Sequence, residues 1–587
     1  MCRTHGVADA FSPVAMYRYS EFDRAFVHAR AAQFRDQLRR HLEGSLGEDE
    51  FKPLRLQNGW YIQRHAPMLR VAVPYGALAT RQLRALADIA ERFDRGYAHF
   101  TTRQNVQYNW IELPRAADVM DLLAEVDMHG IQTSGNCVRN ITTDALAGVA
   151  PDEIADPRPY CEILRQWSTL HPEFAFLPRK FKIAVSGSVE DRVASGWYDI
   201  GLHLVRDGGG ELGLRVMAGG GMGRTPLIGS VVREFLPVRH MLQYTEAILR
   251  VYNLYGRRDN LWKARIKILV RSEGQRFVDA VEREFATMLE RDLGAESLLV
   301  TEDQVRAMAA HFEVPPEHVP TPQQAAEAAE AARRAAGDPA HARWLERNVH
   351  AHRLPDHRVV TLSLKRPGRA PGDATAQQMR AAAALAERFG RGELRVSHEQ
   401  NLVLPWVRES ELALLWEQAR EAGMATPNIG LLGDIIACPG GDFCSLANAR
   451  SLPVAEDIAQ RFQDLDEMFD IGDLDLNISG CINSCGHHHS GHIGILGVDK
   501  DGAEWYQITV GGGDGSTRGG SASPGRIIGA SFAADEVADA VEALVDLYRE
   551  QRQQGERFID TARRLGPAPF AAAADAVRRS TARKVAA

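Results

Sequence analysis

Cysteine is scarce in this chain, seven in 587 residues. That is too few for a disulfide scaffold, and the odd count does not allow full pairing. Long apolar runs are missing as well: none approaches the roughly 18 residues needed to cross a bilayer. The first thirty residues mix Arg, Asp, Glu and His with apolar positions and build no signal-peptide core. There is no basic excess, with 69 Lys and Arg against 77 Asp and Glu and a formal net charge of −8, so a phosphate-backbone partner is not expected. These absences argue against a secreted disulfide module, a membrane protein and a nucleic-acid binder. They leave a protein expected in the cytoplasm, where clustered thiols serve as metal ligands or catalytic groups.

What is present is the balance of a globular protein, 45% hydrophobic and 25% charged, long enough at about 150 residues per domain for about four units. The chain also repeats itself. Residues 81–111 align without a gap to residues 377–407, with 13 of 31 positions identical. Each copy places apolar residues at helical spacing, such as Leu83, Leu86, Ala90 and Phe93, then passes an Arg-Gly turn into a strand-like stretch. Residues 200–221 resemble 493–513 in the same way, and both read as a hairpin followed by three glycines. The chain is therefore expected to be two related halves, each with a smaller and a larger α+β unit. Residues 320–344, rich in Ala, Glu and Arg, read as an exposed linker helix. The Gly- and Ser-rich stretch 511–526 reads as a mobile loop. Residues 21–43 read as a helix on the surface of the body, and 567–587 as a tail that frays.

Four cysteines fall in two pairs, Cys438 and Cys444 in ACPGGDFCSLA and Cys481 and Cys485 in NISGCINSCGHH. Thiolates are soft, charged ligands that suit zinc or iron–sulfur clusters. The pairs sit among glycines whose backbone N–H groups can point at sulfur. Structural zinc is the competing reading, although its usual spacing is C-x2-4-C and here the first pair is C-x5-C. His487, His488 and His489 lie beside the second pair and are not assigned to a metal. Cys2, Cys137 and Cys161 are read as structural.

A basic set lies in the first half: Arg70, Arg103, Arg139, Lys180 and Lys182. Lys180 and Lys182 are two apart before an apolar strand, so both side chains leave one face. Adjacent ammonium groups repel unless an anion lies between them, which points to a pocket for a small anion.

Together, the cysteine pattern, the RQN and EQN repeat segments, the glycine-rich hairpins and the basic set resemble the sirohaem-dependent nitrite and sulfite reductase family over roughly residues 55–555. Within that family the chain is most similar to the assimilatory sulfite reductase haemoprotein. The resemblance implies an α+β fold of two pseudo-symmetric halves, each a small ferredoxin-like unit plus a larger mixed α/β lobe. The boundaries expected are an N-terminal helical segment 1–54, ferredoxin-like repeat 55–128, lobe 129–319, linker 320–346, ferredoxin-like repeat 347–425, lobe 426–560 and tail 561–587.

It further implies that Cys438, Cys444, Cys481 and Cys485 hold a 4Fe-4S cluster and that Cys485 is also the axial ligand of sirohaem. Arg70, Arg139, Lys180 and Lys182 would bind the substrate anion, and Arg103, Gln107, Arg265, Lys267 and Gln400 would contact the cofactor. The implied reaction is six-electron reduction of sulfite to sulfide, with nitrite as the alternative. Lysine at position 182 favours sulfite, because the nitrite reductases tend to carry Asn there. Electrons would come from ferredoxin or a separate flavoprotein subunit. A zinc protein recognising some other anion is the non-enzymatic alternative.

Overall fold

The computed structural model describes residues 16–291, 297–313 and 320–585; Cys2 lies outside them. The repeat seen in the sequence is a helix followed by a strand. Thr80–Phe93 buries Leu83, Leu86, Ala90 and Phe93 along one stripe, as their spacing requires. Its counterpart Ala376–Phe389 buries Met379, Ala382, Ala386 and Phe389. Thr375 caps the second copy, its hydroxyl accepting from Gln378 N while Gln378 Oε1 accepts from Thr375 N, a reciprocal capping box. The two helices pack together over one hydrophobic core that spans both halves. Exposed pairs of Arg84 with Glu387 and of Arg380 with Asp88 and Glu91 flank the contact and add little to its stability.

Each ferredoxin-like sheet is completed by the other half. The first runs Trp60–Ile62, Pro67–Val71, Val106–Tyr108, Tyr97–Phe100 and then Asp373–Thr375 from the second half. The second runs Val349–Ala351, His357–Leu362, Leu402–Arg408, Glu393–Val396 and then Ala77–Ala79 from the first. Both exchanged strands are antiparallel to their hosts. The exchange gives each sheet a fifth strand and removes one exposed edge.

The larger lobes share one topology. In the first, Thr142–Thr143, Ile183–Ser186 and Ile200–Arg206 run parallel and the hairpin partner Leu212–Ala218 returns antiparallel. In the second, Ile436–Ala437, Leu476–Ser479 and Ile493–Lys500 are parallel and Ala503–Val510 returns. The register is gap-free between them: Ile183 pairs with Ile200 where Leu476 pairs with Ile493.

Two expectations are corrected. Residues 320–346 are not one exposed helix but two, Pro322–Ala335 and Pro339–Asn348. The first packs against Leu412–Glu421 through buried Ala328, Ala331 and Ala335; small apolar residues at helical spacing make a face that overall composition conceals. The stretch 511–526 is pinned rather than free. Trp197 Nε1 donates to Gly513 O at 3.1 Å, Gly513 and Ser523 exchange backbone bonds, and Arg518 pairs with Asp475 at 3.1 Å. The tail forms the helix Pro567–Val585, anchored by buried Phe570 and Ala574, and Glu21–Leu42 is the expected N-terminal helix. No helix among the described residues is long and apolar enough to cross a membrane.

Candidate functional site

The four paired cysteines leave the C-terminal ends of the parallel strands of the second lobe. Cys438 follows Ile436–Ala437, and Cys481 and Cys485 follow Leu476–Ser479. The turn that follows Cys485 depends on Gly486, where a Cβ would lie 1.9 Å from Ile478 O. Gly480 N–H points at Cys438 Sγ at 3.3 Å. The thiols feel one another: Cys438 is pushed up to about 12 by burial and then by Cys485, and Cys481 to about 11 by the same two causes. Four thiolates so placed repel, and a cationic metal centre is what would relieve them.

A single zinc would draw its thiolates to about 2.3 Å from itself and hence within about 4 Å of one another. Among the described residues no three His, Cys, Asp or Glu side chains are gathered tightly enough to hold one metal ion. A four-iron cluster gives each thiolate its own iron, and four cysteines with a backbone N–H such as that of Gly480 aimed at sulfur suit it.

Cys485 is the exposed member of the four, and Lys180 of the basic set lies within electrostatic reach of it. Thr133 O gathers Arg139 Nη1 at 2.8 Å, Tyr61 OH at 3.3 Å and Arg70 Nη1 at 3.4 Å. Lys180 is lowered to about 8, chiefly by burial, with the Cys485 thiolate pulling it up and Arg139 pushing it down. Lys182 is held well below its ordinary range by burial and by Arg103 and Lys180. Among the described residues neither ammonium has a hydrogen-bond or ion-pair partner. Arg103 donates to Asn140 O at 2.5 Å, yet its Nη1 is buried and unpartnered, as are Arg70 Nε, Ser134 Oγ and Tyr198 OH. Cations and donors left unpaired on one side of an exposed thiol are chemically suited to a polycarboxylate tetrapyrrole and a small oxyanion.

The other sequence-predicted residues have protein partners. Arg265 forks onto Asp199 at 2.8 Å. Lys267 Nζ reaches three carbonyls, Gly221 at 3.2 Å, Met222 at 2.6 Å and Thr225 at 2.5 Å, which shapes the glycine-rich turn. Gln107 accepts from Arg70 and donates to Asn109. Gln400 donates to Phe100 O and Ala437 O and accepts from Ala437 N, fixing the backbone immediately before Cys438. Gln104, its repeat equivalent, does the same with Val396 O and Thr143. Both glutamines hold left-handed φ values, 58° and 62°, a strain these clamps sustain.

Thr102 and His398 lie in the repeat segments already noted in the sequence, without a contact of their own assigned there. Thr102 Oγ1 donates to Cys485 O at 2.8 Å. His398, at the position equivalent to Thr102, lies 3.2 Å from both Thr102 O and Thr143 O. The repeat alignment already pairs these two positions, and that was the available signal. Tyr61 is not singled out by the sequence.

A basic pocket opening on an exposed thiol, with three more thiols behind it, is the arrangement of an iron–sulfur oxidoreductase that acts on a small anion. The family models agree with this. The nitrite and sulphite reductase 4Fe-4S domain matches residues 134–288 and 431–579, and the nitrite/sulfite reductase ferredoxin-like half domain matches 61–126 and 352–422. A sulfite reductase [ferredoxin] of Mycobacterium tuberculosis is 28% identical over 504 residues, 84% of this chain and 81% of that protein. A chloroplastic ferredoxin–nitrite reductase of Zea mays is 30% identical over 477 residues, 76% of this chain and 73% of its own. The solved structure of Mycobacterium tuberculosis NirA matches with a TM-score of 0.71 at 25% identity, covering 89% of this chain and 91% of that one. The chain belongs to the nitrite and sulphite reductase family, whose cofactors are sirohaem and a 4Fe-4S cluster.

Proposed function

We propose that the chain is an assimilatory sulfite reductase of the cytoplasm that takes sulfite to sulfide with six electrons, and nitrite less efficiently. The observation that carries this reading is the pair Lys180 and Lys182, two ammonium groups with no ion-pair partner among the described residues. A doubly charged oxyanion gains more from the second cation than singly charged nitrite does.

In this reading Cys438, Cys444, Cys481 and Cys485 hold the cluster, and Cys485 also ligates the sirohaem iron. Arg103, with its free Nη1, meets a cofactor carboxylate, while Arg265, Lys267, Gln107 and Gln400 set the shape of the cradle. When bound, the coupled cofactors supply the electrons. Arg70, Arg139, Lys180 and Lys182 bind and orient the anion and hold the protons with which each oxygen departs as water.

Ferredoxin is the donor this reading favours over a flavoprotein subunit. Beside the cluster loop, Arg92, Arg95 and Arg115 line a concave surface with His65, Trp110 and Phe443; of the acids there, Asp94, Glu112 and Asp442, Asp94 is engaged by the backbone N–H groups of Arg95 and Trp110. Phe443 lies between Cys438 and Cys444 and meets Trp110 edge-on at 5.2 Å, and Arg95 lies 3.4 Å over Trp110. A basic rim around an aromatic route to the cluster suits an acidic redox protein.

Steady-state kinetics of the purified, cofactor-loaded protein with sulfite and nitrite and a dye reductant test the substrate. A larger kcat/KM for sulfite is expected. A much larger value for nitrite would reverse the choice.

A further inference from the structure

The loop from Cys438 to Cys444 contains Gly440 and Gly441, the first at a φ of 58°, and such a loop is loose unless something outside it removes the freedom. The first half supplies that restraint. The hairpin of Trp60–Ile62 and Pro67–Val71 turns at residues 63–66, where Gln63 N donates to Ala66 O at 3.3 Å. From this turn Arg64 N donates to Phe443 O at 3.2 Å, and Arg64 Nη1 donates to Gly441 O at 3.0 Å. Gln63 Oε1 accepts from Ser445 N at 3.0 Å and from Ser445 Oγ at 3.2 Å. Phe443 O and Ser445 N belong to the two peptide groups on either side of Cys444. The other polar atoms of those peptides are satisfied within the loop, Cys444 N donating to Gly440 O at 2.9 Å and Cys444 O accepting from Ala447 N at 3.2 Å.

The same turn also faces the aromatic surface. His65 stacks with Trp110 at 5.9 Å, and Trp110 meets Phe443 edge-on at 5.2 Å, so the contacts close a ring from the turn through Trp110 and Phe443 back to the turn. The other ferredoxin-like unit shows which contacts the fold provides by itself. Arg353, like Arg64 the second residue after its strand, donates its backbone N–H across the halves to Val149 O at 2.8 Å, in a stretch without cysteine. His352, in the place of Gln63, instead accepts at Nδ1 from Leu354 N at 2.8 Å within its own turn. The backbone bond is common to both halves, whereas the side-chain grip of Gln63 occurs where the thiols are.

We infer that Gln63 and Arg64 are positioning residues for the iron–sulfur cluster: from the first half they fix the peptide groups on both sides of Cys444 and so hold its thiol in place for iron. The inference rests on the reading of Cys444 as a cluster ligand. Partners that orient a metal ligand without touching the metal are worth about 10- to 100-fold in metal affinity or activity. Hydrogen bonding and solvent access around a cluster also tune its electronic properties, so loss of the grip should be visible in the spectrum of the reduced cluster as well as in how firmly iron is kept.

The test uses the purified holoprotein and the variants Gln63→Leu and Arg64→Met, singly and together. Iron release to a ferrous chelator is timed, the EPR spectrum of the dithionite-reduced protein is recorded, and chlorin is counted per chain. The double variant should release iron about tenfold faster than the wild type or more and show a shifted cluster signal, with chlorin per chain at the wild-type level before release begins. Arg64→Lys and Gln63→Glu, which keep a side-chain donor and a side-chain acceptor, should return the release toward the wild-type rate. If the double variant does not accumulate folded, each single variant against its conservative partner gives the same comparison. Wild-type release with an unchanged signal in Gln63→Leu and Arg64→Met overturns the inference, as does an acceleration that Arg64→Lys and Gln63→Glu share in full. A Cys444→Ala variant that keeps the full iron content and the wild-type signal overturns instead the reading of Cys444 as a ligand.

Discussion

Thr102 of the first half donates its hydroxyl proton to the carbonyl oxygen of Cys485 in the second, at 2.8 Å. This bond ties the exposed thiol to the repeat segment that carries Arg103. Thr102→Val should lose about 1 kcal/mol of stability and shift the visible absorption of the bound chlorin, because the thiol backbone is no longer held. Thr102→Ser, which keeps the hydroxyl, should retain the wild-type spectrum. Identical spectra for Thr102→Val and wild type would remove Thr102 from the site.

The Lys182 ammonium has no hydrogen-bond or ion-pair partner among the described residues, so its loss leaves no protein group unpaired. Lys182→Met should reduce sulfite turnover by about 10²-fold while chlorin and iron per chain stay at wild-type levels. Equal loss of chlorin and of turnover would make Lys182 a cofactor-binding residue rather than a substrate-binding one.

Burial lowers Lys180 to about 8, below the ordinary value of a lysine. The sign follows from that direction: the ammonium is charged below about 8 and is lost as pH climbs through it. Burying that charge costs the fold stability at lower pH, and a bound anion relieves the cost there. Sulfite should therefore raise the melting temperature more at pH 7 than at pH 9, and its KM should rise above about pH 8. Lys180→Arg should flatten both trends. A shift equal at the two pH values in the wild type would contradict the assignment.

The basic rim beside Phe443 predicts a separation between donor and dye. Reversing Arg92, Arg95 and Arg115 to Glu should raise KM for ferredoxin by about tenfold or more, weaken the salt dependence of association, and leave dye-driven turnover unchanged. Parallel loss with both reductants would place the damage at the cluster instead.

Much of this site was legible because chemistry-bearing residues kept their local spacing. The cysteine pairs, Lys180 with Lys182, and the Gln104 and Gln400 repeat positions each declare themselves within a few residues. What was not legible depends on distant partners. Arg265 and Lys267 are expected from the resemblance to contact the cofactor, and the sequence does not show that Asp199 and the carbonyls of a remote turn engage them. The loop 511–526 reads as mobile from its glycines, yet Trp197, far away in the chain, holds it. The exchanged strands Ala77–Ala79 and Asp373–Thr375 are only three residues long, too short for periodicity to reveal them.

That exchange has a kinetic meaning. His99 must wait for Asp373, 274 positions later, before its edge of the sheet closes, so neither half owns a finished sheet when it leaves the ribosome. Contacts so remote in sequence slow folding and expose unpaired backbone in the interim. A chain severed between Ala335 and Pro339 should therefore yield two fragments that aggregate when made separately and assemble when made together, each serving as the template on which the other matures.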